Sequence, residues 1–166
     1  ASDEQTINVT IDGTNDAPVI TSNASDASGT VIEAGHSDDG STVDGTSSVS
    51  GTLSSSDVDT SDTSTWSIDG SASTTYGSIN IDPNTGEWTY TLDNNLSATQ
   101  ALEEGQSVTE SFIARVTDNN GASDEQTINV TIDGTNDAPV ITSNASDASG
   151  TVIEAGHSDD GSTVDG

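Results

Sequence analysis

Asp12-Gly13-Thr14-Asn15-Asp16-Ala17-Pro18 and Asp133-Gly134-Thr135-Asn136-Asp137-Ala138-Pro139 are the same seven residues, met twice. Each copy follows an alternating apolar run, first Ile7, Val9 and Ile11, then Ile128, Val130 and Ile132. Each precedes a second, shorter run, Val19-Ile20 or Val140-Ile141. Alternation with a period of two puts one face of a strand on a core. Between such strands Gly and Pro stop the ladder, while Asp and Asn offer side-chain oxygens. The stretch reads as a hinge between two β-domains, with oxygens placed to hold metal.

The identity runs further. Residues 1–45 recur unchanged as residues 122–166, a period of 121 residues. Solenoid units are shorter, about 20–50 residues; this period is the size of an independent β-sandwich. The chain therefore reads as part of a tandem array. Residues 1–13 are the last strand of the preceding repeat, residues 14–134 are a complete Ig-like domain, and residues 135–166 are the first strands of the next repeat. The two outer pieces carry alternation without a partner of their own. Together they supply the missing edges of a repeat, so the tail of one molecule is expected to complete the head of another.

Within the complete domain, Pro18–Ser22 reads as an edge strand, since Pro cannot donate to a ladder. Further strands are expected over Gly29–Glu33, Ser48–Ser55, Ser64–Asp69, Tyr76–Asp82, Glu87–Leu92, Ser107–Asp118 and Gln126–Asp133. Asp82-Pro83-Asn84-Thr85-Gly86 is a hairpin signal, with Pro at the second turn position and Gly suited to a left-handed bulge. Residues 34–46 read as an irregular loop, and Asn94–Leu102 as room for one helical turn. Glu110 breaks the apolar face formed by Val108, Phe112, Ala114 and Val116. Seven or eight strands at turn spacings of roughly ten residues, without a long helical pattern, give an all-β Greek-key sandwich. Trp66, Trp88, Tyr90 and Phe112 fall on inward positions and read as core, not as a ligand platform.

Composition narrows the partners. The chain has 29 acidic residues against one cation, Arg115, for a formal net charge of −28. Nucleic acid and anionic membrane surfaces would repel it. A weakly apolar chain so charged is a candidate for disorder, but the sustained alternation argues against that. The remaining explanation is neutralisation by bound cations. There is no cysteine and no Lys, and His36 and His157 are one position counted twice. Zinc sites, nucleophiles and general bases are correspondingly poorly supplied, and no enzymatic activity is expected. Arg115 faces outward on its strand and is expected to pair with a neighbouring carboxylate.

The oxygens gather at strand ends, hence at the two poles of the sandwich. At the leading pole, where the chain enters, lie Asn15, Asp16, Asp57, Asp59 and Asp118, with Asp62 able to join. Extended backbone through Asp57-Val58-Asp59 would direct both carboxylates to one side. At the trailing pole, where the chain leaves, lie Glu33, Glu103 with Glu104, Asp133, Asn136 and Asp137. Turn formation and solubility explain any single one of them. The whole set favours calcium, which takes about 6–8 oxygen ligands, over magnesium.

The strings Gly51-Thr52-Leu53, Asp57-Val58-Asp59, Thr65-Trp66-Ser67, Tyr76-Gly77-Ser78-Ile79, Thr85-Gly86-Glu87-Trp88-Thr89-Tyr90, Gln100-Ala101-Leu102, Val116-Thr117-Asp118 and Gly134–Pro139 resemble the VCBS repeat across the whole period. That is a bacterial Ig-like, cadherin-like domain found in tandem in large secreted RTX adhesins. Glu33 looks like the first-strand glutamate of cadherins, Asp57-Val58-Asp59 like their Asp-x-Asp, and Asp133–Asp137 like their linker. The resemblance implies a calcium-stiffened extender domain, exported by type I secretion to the bacterial surface. There it would string head to tail with identical repeats and support adhesion or biofilm formation. A ligand-binding adhesin module, for glycan, ice or another cell, is the alternative. Forty-five duplicated residues favour spacing over a unique recognition surface.

Overall fold

The computed structural model describes residues 1–37, 39–152, 156–157, 161 and 163–164. The strands are β1 (Val19–Ile20), β2 (Ser28–Ile32), β3 (Gly35–His36), β4 (Thr42–Val43), β5 (Ser48–Thr52), β6 (Ser55–Ser56), β7 (Ser64–Asp69), β8 (Gly77–Ile81), β9 (Glu87–Leu92), β10 (Ser107–Asp118), β11 (Ser123–Asp133), β12 (Gly156–His157) and β13 (Thr163–Val164). One sheet runs β2-β11-β10-β7 and faces a second, β5-β9-β8. The long β10 and β11 pair antiparallel along their length, while β2 joins β11 in parallel. The all-β sandwich expected from the alternation is the observed fold.

The alternation becomes the core. Ile128, Val130 and Ile132 of β11, Ala114 and Val116 of β10, and Trp88 and Tyr90 of β9 are fully buried. Trp66 and Phe112 join them. The Tyr90 and Phe112 rings sit 5.8 Å apart, tilted by 49°, a favourable aromatic arrangement. Trp88 lies over Gly51, where any side chain would meet its indole, and its Nε1–H donates to the Asp26 carbonyl at 2.9 Å. Glu110 breaks the apolar pattern for a visible reason. Its carboxylate accepts from the Tyr90 hydroxyl at 2.7 Å, the Thr74 hydroxyl at 2.6 Å and the Thr75 N–H. Burial beside that carboxylate drives the Tyr90 phenol well above its ordinary pKa. Arg115 bridges Asp69 of β7 and Glu125 of β11, at 2.7 and 2.6 Å.

The hairpin between β8 and β9 forms as its sequence predicts. Asp82 Oδ1 accepts from the N–H groups of Asn84 and Thr85, and Gly86 closes the turn with φ +69°. A Cβ at Gly86 would sit 2.5 Å from the Leu53 carbonyl and 3.0 Å from the Trp66 indole. Gly86→Ala is therefore expected to lower stability by about 2 kcal/mol, from the left-handed backbone and the clash together. A urea midpoint that falls at unchanged slope would register it.

Two expectations change, and one element is added. Residues 34–46 hold a small hairpin, β3 against β4, instead of an irregular loop. A short 3₁₀ turn at Ala24–Ala27, capped by Asn23 and Asp26, precedes β2. The backbone after β6 is not extended through Asp57-Val58-Asp59: the Asp59 N–H folds back onto Asp57 Oδ1, and the Asp62 N–H reaches the Asp59 carbonyl.

Residues 1–17 form no strand, and Ile7, Val9 and Ile11 are 84%, 79% and 90% exposed. At the other end, Val140 and Ile141 are likewise exposed. The strand expected near residues 150–154 falls partly outside the described residues. One tail and one head together carry the sequence equivalents of β1 to β4 and of β11. In the folded domain β11 also needs β10 beside it and the facing sheet beneath it.

Candidate metal centre

The leading pole is built on the end of β10. Asp118 is only 6% exposed. Its Oδ1 accepts from the N–H groups of Asn120 and Ala122, at 2.8 and 2.9 Å, which closes the Asn119–Gly121 turn. Its Oδ2 accepts from Asn15 Nδ2 at 2.9 Å. These bonds, that from Asn15 first, hold its carboxyl below the usual carboxylate range. The turn through Asp59 carries Asp62 back towards Asp57. One carboxylate oxygen from each of Asp57, Asp62 and Asp118 then lies within 4.8 Å of the other two. Asn120 ties this group to the linker, since its Nδ2 donates to Asp62 Oδ2 at 2.9 Å and to Asn15 Oδ1 at 2.7 Å.

Asp57 Oδ2 is buried and has no hydrogen-bond partner among the described residues. An acceptor stripped of water and left unpaired is unfavourable, more so beside two other carboxylates. A hard cation would resolve both problems, and an all-oxygen donor set suits calcium. The residues present fit that ion.

Five leading-pole residues come from the sequence pattern, and the structure gives them unequal parts. Asp57 and Asp118 converge, and Asn15 docks on Asp118. Asp59 stands aside: its Oδ2 accepts from the Asp16 N–H at 2.8 Å and so anchors the linker. Asp16 contributes that N–H, with its own side chain exposed. Asp62 takes the place expected of Asp59, because a reverse turn, not an extended strand, sets which carboxylate faces inward. Asn120 was missed; the Asn-Asn-Gly turn was its signal.

The trailing pole is organised around Glu33, which is fully buried at the end of β2. Gln100 Nε2 donates to its Oε1 at 3.3 Å and the Thr135 N–H to its Oε2 at 3.1 Å. Burial raises its pKa, the Thr135 bond opposes that, and the nearby Asp137 charge adds to the rise. Glu103, Glu104, Asn136 and Asp137 line one depression with Gln100 and Thr135. Asp133 lies at the same end of the sheet, where its Oδ1 accepts from the hydroxyl of its strand partner Ser107 on β10. The β3–β4 hairpin completes the pole, with the His36 N–H on the Asn136 carbonyl at 2.6 Å.

Glu33 carries a testable sign. Its folded pKa lies above the unfolded value near 4.5, so the folded state favours the protonated form. The metal-free domain therefore loses stability as pH rises from the unfolded pKa through the folded one. Glu33→Gln removes that charge while keeping an oxygen for the Thr135 N–H. It is expected to melt higher than the parent at pH 7 in chelator, with the gap closing towards pH 4. Equal melting temperatures at both pH values would contradict the burial argument.

A family model described as the bacterial cadherin-like domain matches residues 15–134. No curated protein matches the chain.

Proposed function

The chain belongs to the bacterial cadherin-like domain family, and from that premise we propose that it is an extender module of a bacterial surface adhesin, stiffened by calcium held at its poles. The observation that carries this reading is the buried, unpartnered Asp57 Oδ2 among the converging oxygens of Asp62 and Asp118. When bound, calcium supplies the positive charge that lets these carboxylates stay close. The chain's own residues do the rest. Asp118 and Asn120 seat the linker through Asn15, and Asp59 seats it through the Asp16 N–H.

The same linker sequence meets the trailing pole through other atoms: the Thr135 N–H on Glu33, and the Asn136 carbonyl on His36. One copy of the linker can thus hold the domain before it by its backbone and the domain after it by the Asn side chain. Carboxylates of two neighbouring domains then share one junction. Without cations they repel and the linker swings; with calcium the array becomes a rod. Extracellular calcium modules bind at about 10⁻⁴–10⁻³ M, so stiffening would follow export. The role is mechanical, and adhesion or biofilm formation would depend on length and rigidity.

The test is a tandem in which residues 14–134 are followed directly by the same residues, a junction the chain already spells at 133–139. Small-angle scattering and thermal melting are measured in calcium and then in chelator. A longer maximum dimension and a higher melting temperature in calcium are expected. If both stay the same, the module is not a calcium-stiffened extender.

A further inference from the structure

Asn120-Gly121 is the one Asn-Gly pair in the 166 residues, and it sits in the turn between β10 and β11. Asparagine is chemically labile, and a following glycine makes it more so, because no side chain shields the next backbone nitrogen. Here Asn120 is exposed, Gly121 has φ +95°, and a Cβ at Gly121 would meet nothing within 4 Å among the described residues. The Gly121 N–H donates to the Asp118 carbonyl at 3.3 Å, a long hydrogen bond. The same asparagine holds the linker: its Nδ2 donates to Asn15 Oδ1 at 2.7 Å and to Asp62 Oδ2 at 2.9 Å. We propose that Asn120 is a deamidation site, and that its conversion releases the linker from the leading pole.

The Gly121 nitrogen attacks Asn120 Cγ and gives its proton to the side-chain nitrogen, which leaves as ammonia. A succinimide ring remains, and water opens it. Cleavage of the new Cγ–N bond leaves an aspartate; cleavage of the older peptide bond leaves an isoaspartate, whose main chain is one methylene longer. Either product carries a carboxylate there, which has no N–H to donate. Asn15 Oδ1 and Asp62 Oδ2 then face it without their donor. The added charge also sits beside the converging carboxylates of Asp57, Asp62 and Asp118, which repel it. Reaction and seat compete for one side chain, since the carboxamide must leave Asn15 and Asp62 to meet the Gly121 nitrogen. A docked linker therefore slows the conversion, and the conversion once complete prevents docking. In the tandem arrangement proposed above, every leading pole would carry the site, but the chemistry does not rest on that arrangement.

The experiment ages the full 166-residue chain in warm, mildly alkaline buffer with chelator, which keeps the outcome separate from calcium binding. Trypsin has one site in the denatured chain, after Arg115, and releases the peptide from Val116 onwards for mass spectrometry. Asn120 is expected to convert before any other asparagine. Asn15→Ala removes one of the two acceptors and should speed the conversion about fivefold, the scale of one net hydrogen bond. Asn120→Asp stands for the aspartate product. The Asp16 N–H, held on Asp59 Oδ2 at 2.8 Å, should exchange its hydrogen about tenfold faster in that variant, from the two bonds lost. Another asparagine converting first, a conversion rate unchanged by Asn15→Ala, or Asp16 exchange unchanged in Asn120→Asp would each overturn the proposal.

Discussion

Asp118→Ala is expected to remove most of the calcium-dependent rise in melting temperature and to weaken the metal-free domain as well. Two effects compete in the absence of metal. Removing one of three converging carboxylates relieves repulsion with Asp57 and Asp62. It also strands the N–H groups of Asn120 and Ala122 and the side chain of Asn15. The lowered pKa of Asp118 decides between them, because it means the surrounding donors favour the charged form. The contribution of that charge is present above the unfolded pKa near 3.8 and is lost as pH falls through the folded one. The deficit of the variant should accordingly shrink in acid. A site filled at about 100 times its Kd adds about 2.7 kcal/mol, which sets the scale of the calcium response at stake. Asp118→Asn separates the roles: it keeps an acceptor for the turn but offers the cation no charge. Calorimetric titration together with melting in chelator checks both. Undiminished calcium affinity in Asp118→Ala would remove this residue from the site.

The largest effect on folding is expected from Trp88→Ala. The indole is fully buried, and its N–H is satisfied by the Asp26 carbonyl. Truncation opens a cavity between β9 and the 3₁₀ turn and leaves that carbonyl without its donor. Such substitutions cost about 3–5 kcal/mol, against a total of about 5–15 kcal/mol for a domain. A melting temperature lower by roughly 10–20 °C follows for a domain of this size. Calcium should still raise it, since the leading pole is built from β10 and the loop after β6. If Trp88→Ala instead abolished the calcium response while the domain stayed folded, core and pole would be coupled in a way the packing does not suggest.

Much of this was legible in the residues. Period-two alternation gave the strands of both sheets, because apolar faces must find one another. Asp82–Gly86 announced its hairpin through turn chemistry alone. The polar clusters at strand ends located both poles. Local geometry was harder to read. Asp57-Val58-Asp59 looked like a strand aiming two carboxylates one way, yet the Asp59 N–H prefers Asp57 Oδ1 and the chain turns. That swap brings Asp62 in and leaves Asp59 to the linker. The bond from the Ser107 hydroxyl to Asp133 Oδ1 is likewise set by the pairing of β10 with β11. Glu110 looked like a break in the pattern until Tyr90 and Thr74 arrived from other strands to satisfy it.

The sequence by itself determined the repeat, its period, the β-class and the acidic poles, since these depend on pattern and composition. It could not determine which carboxylate of the Asp57–Asp62 stretch faces Asp118. The Asp59 N–H bonds Asp57 Oδ1, the chain turns, Asp62 comes to Asp57 and Asp118, and Asp59 is left to the Asp16 N–H. Which atoms converge depends on hydrogen bonds between segments far apart in sequence. Only the tertiary structure brings those segments together.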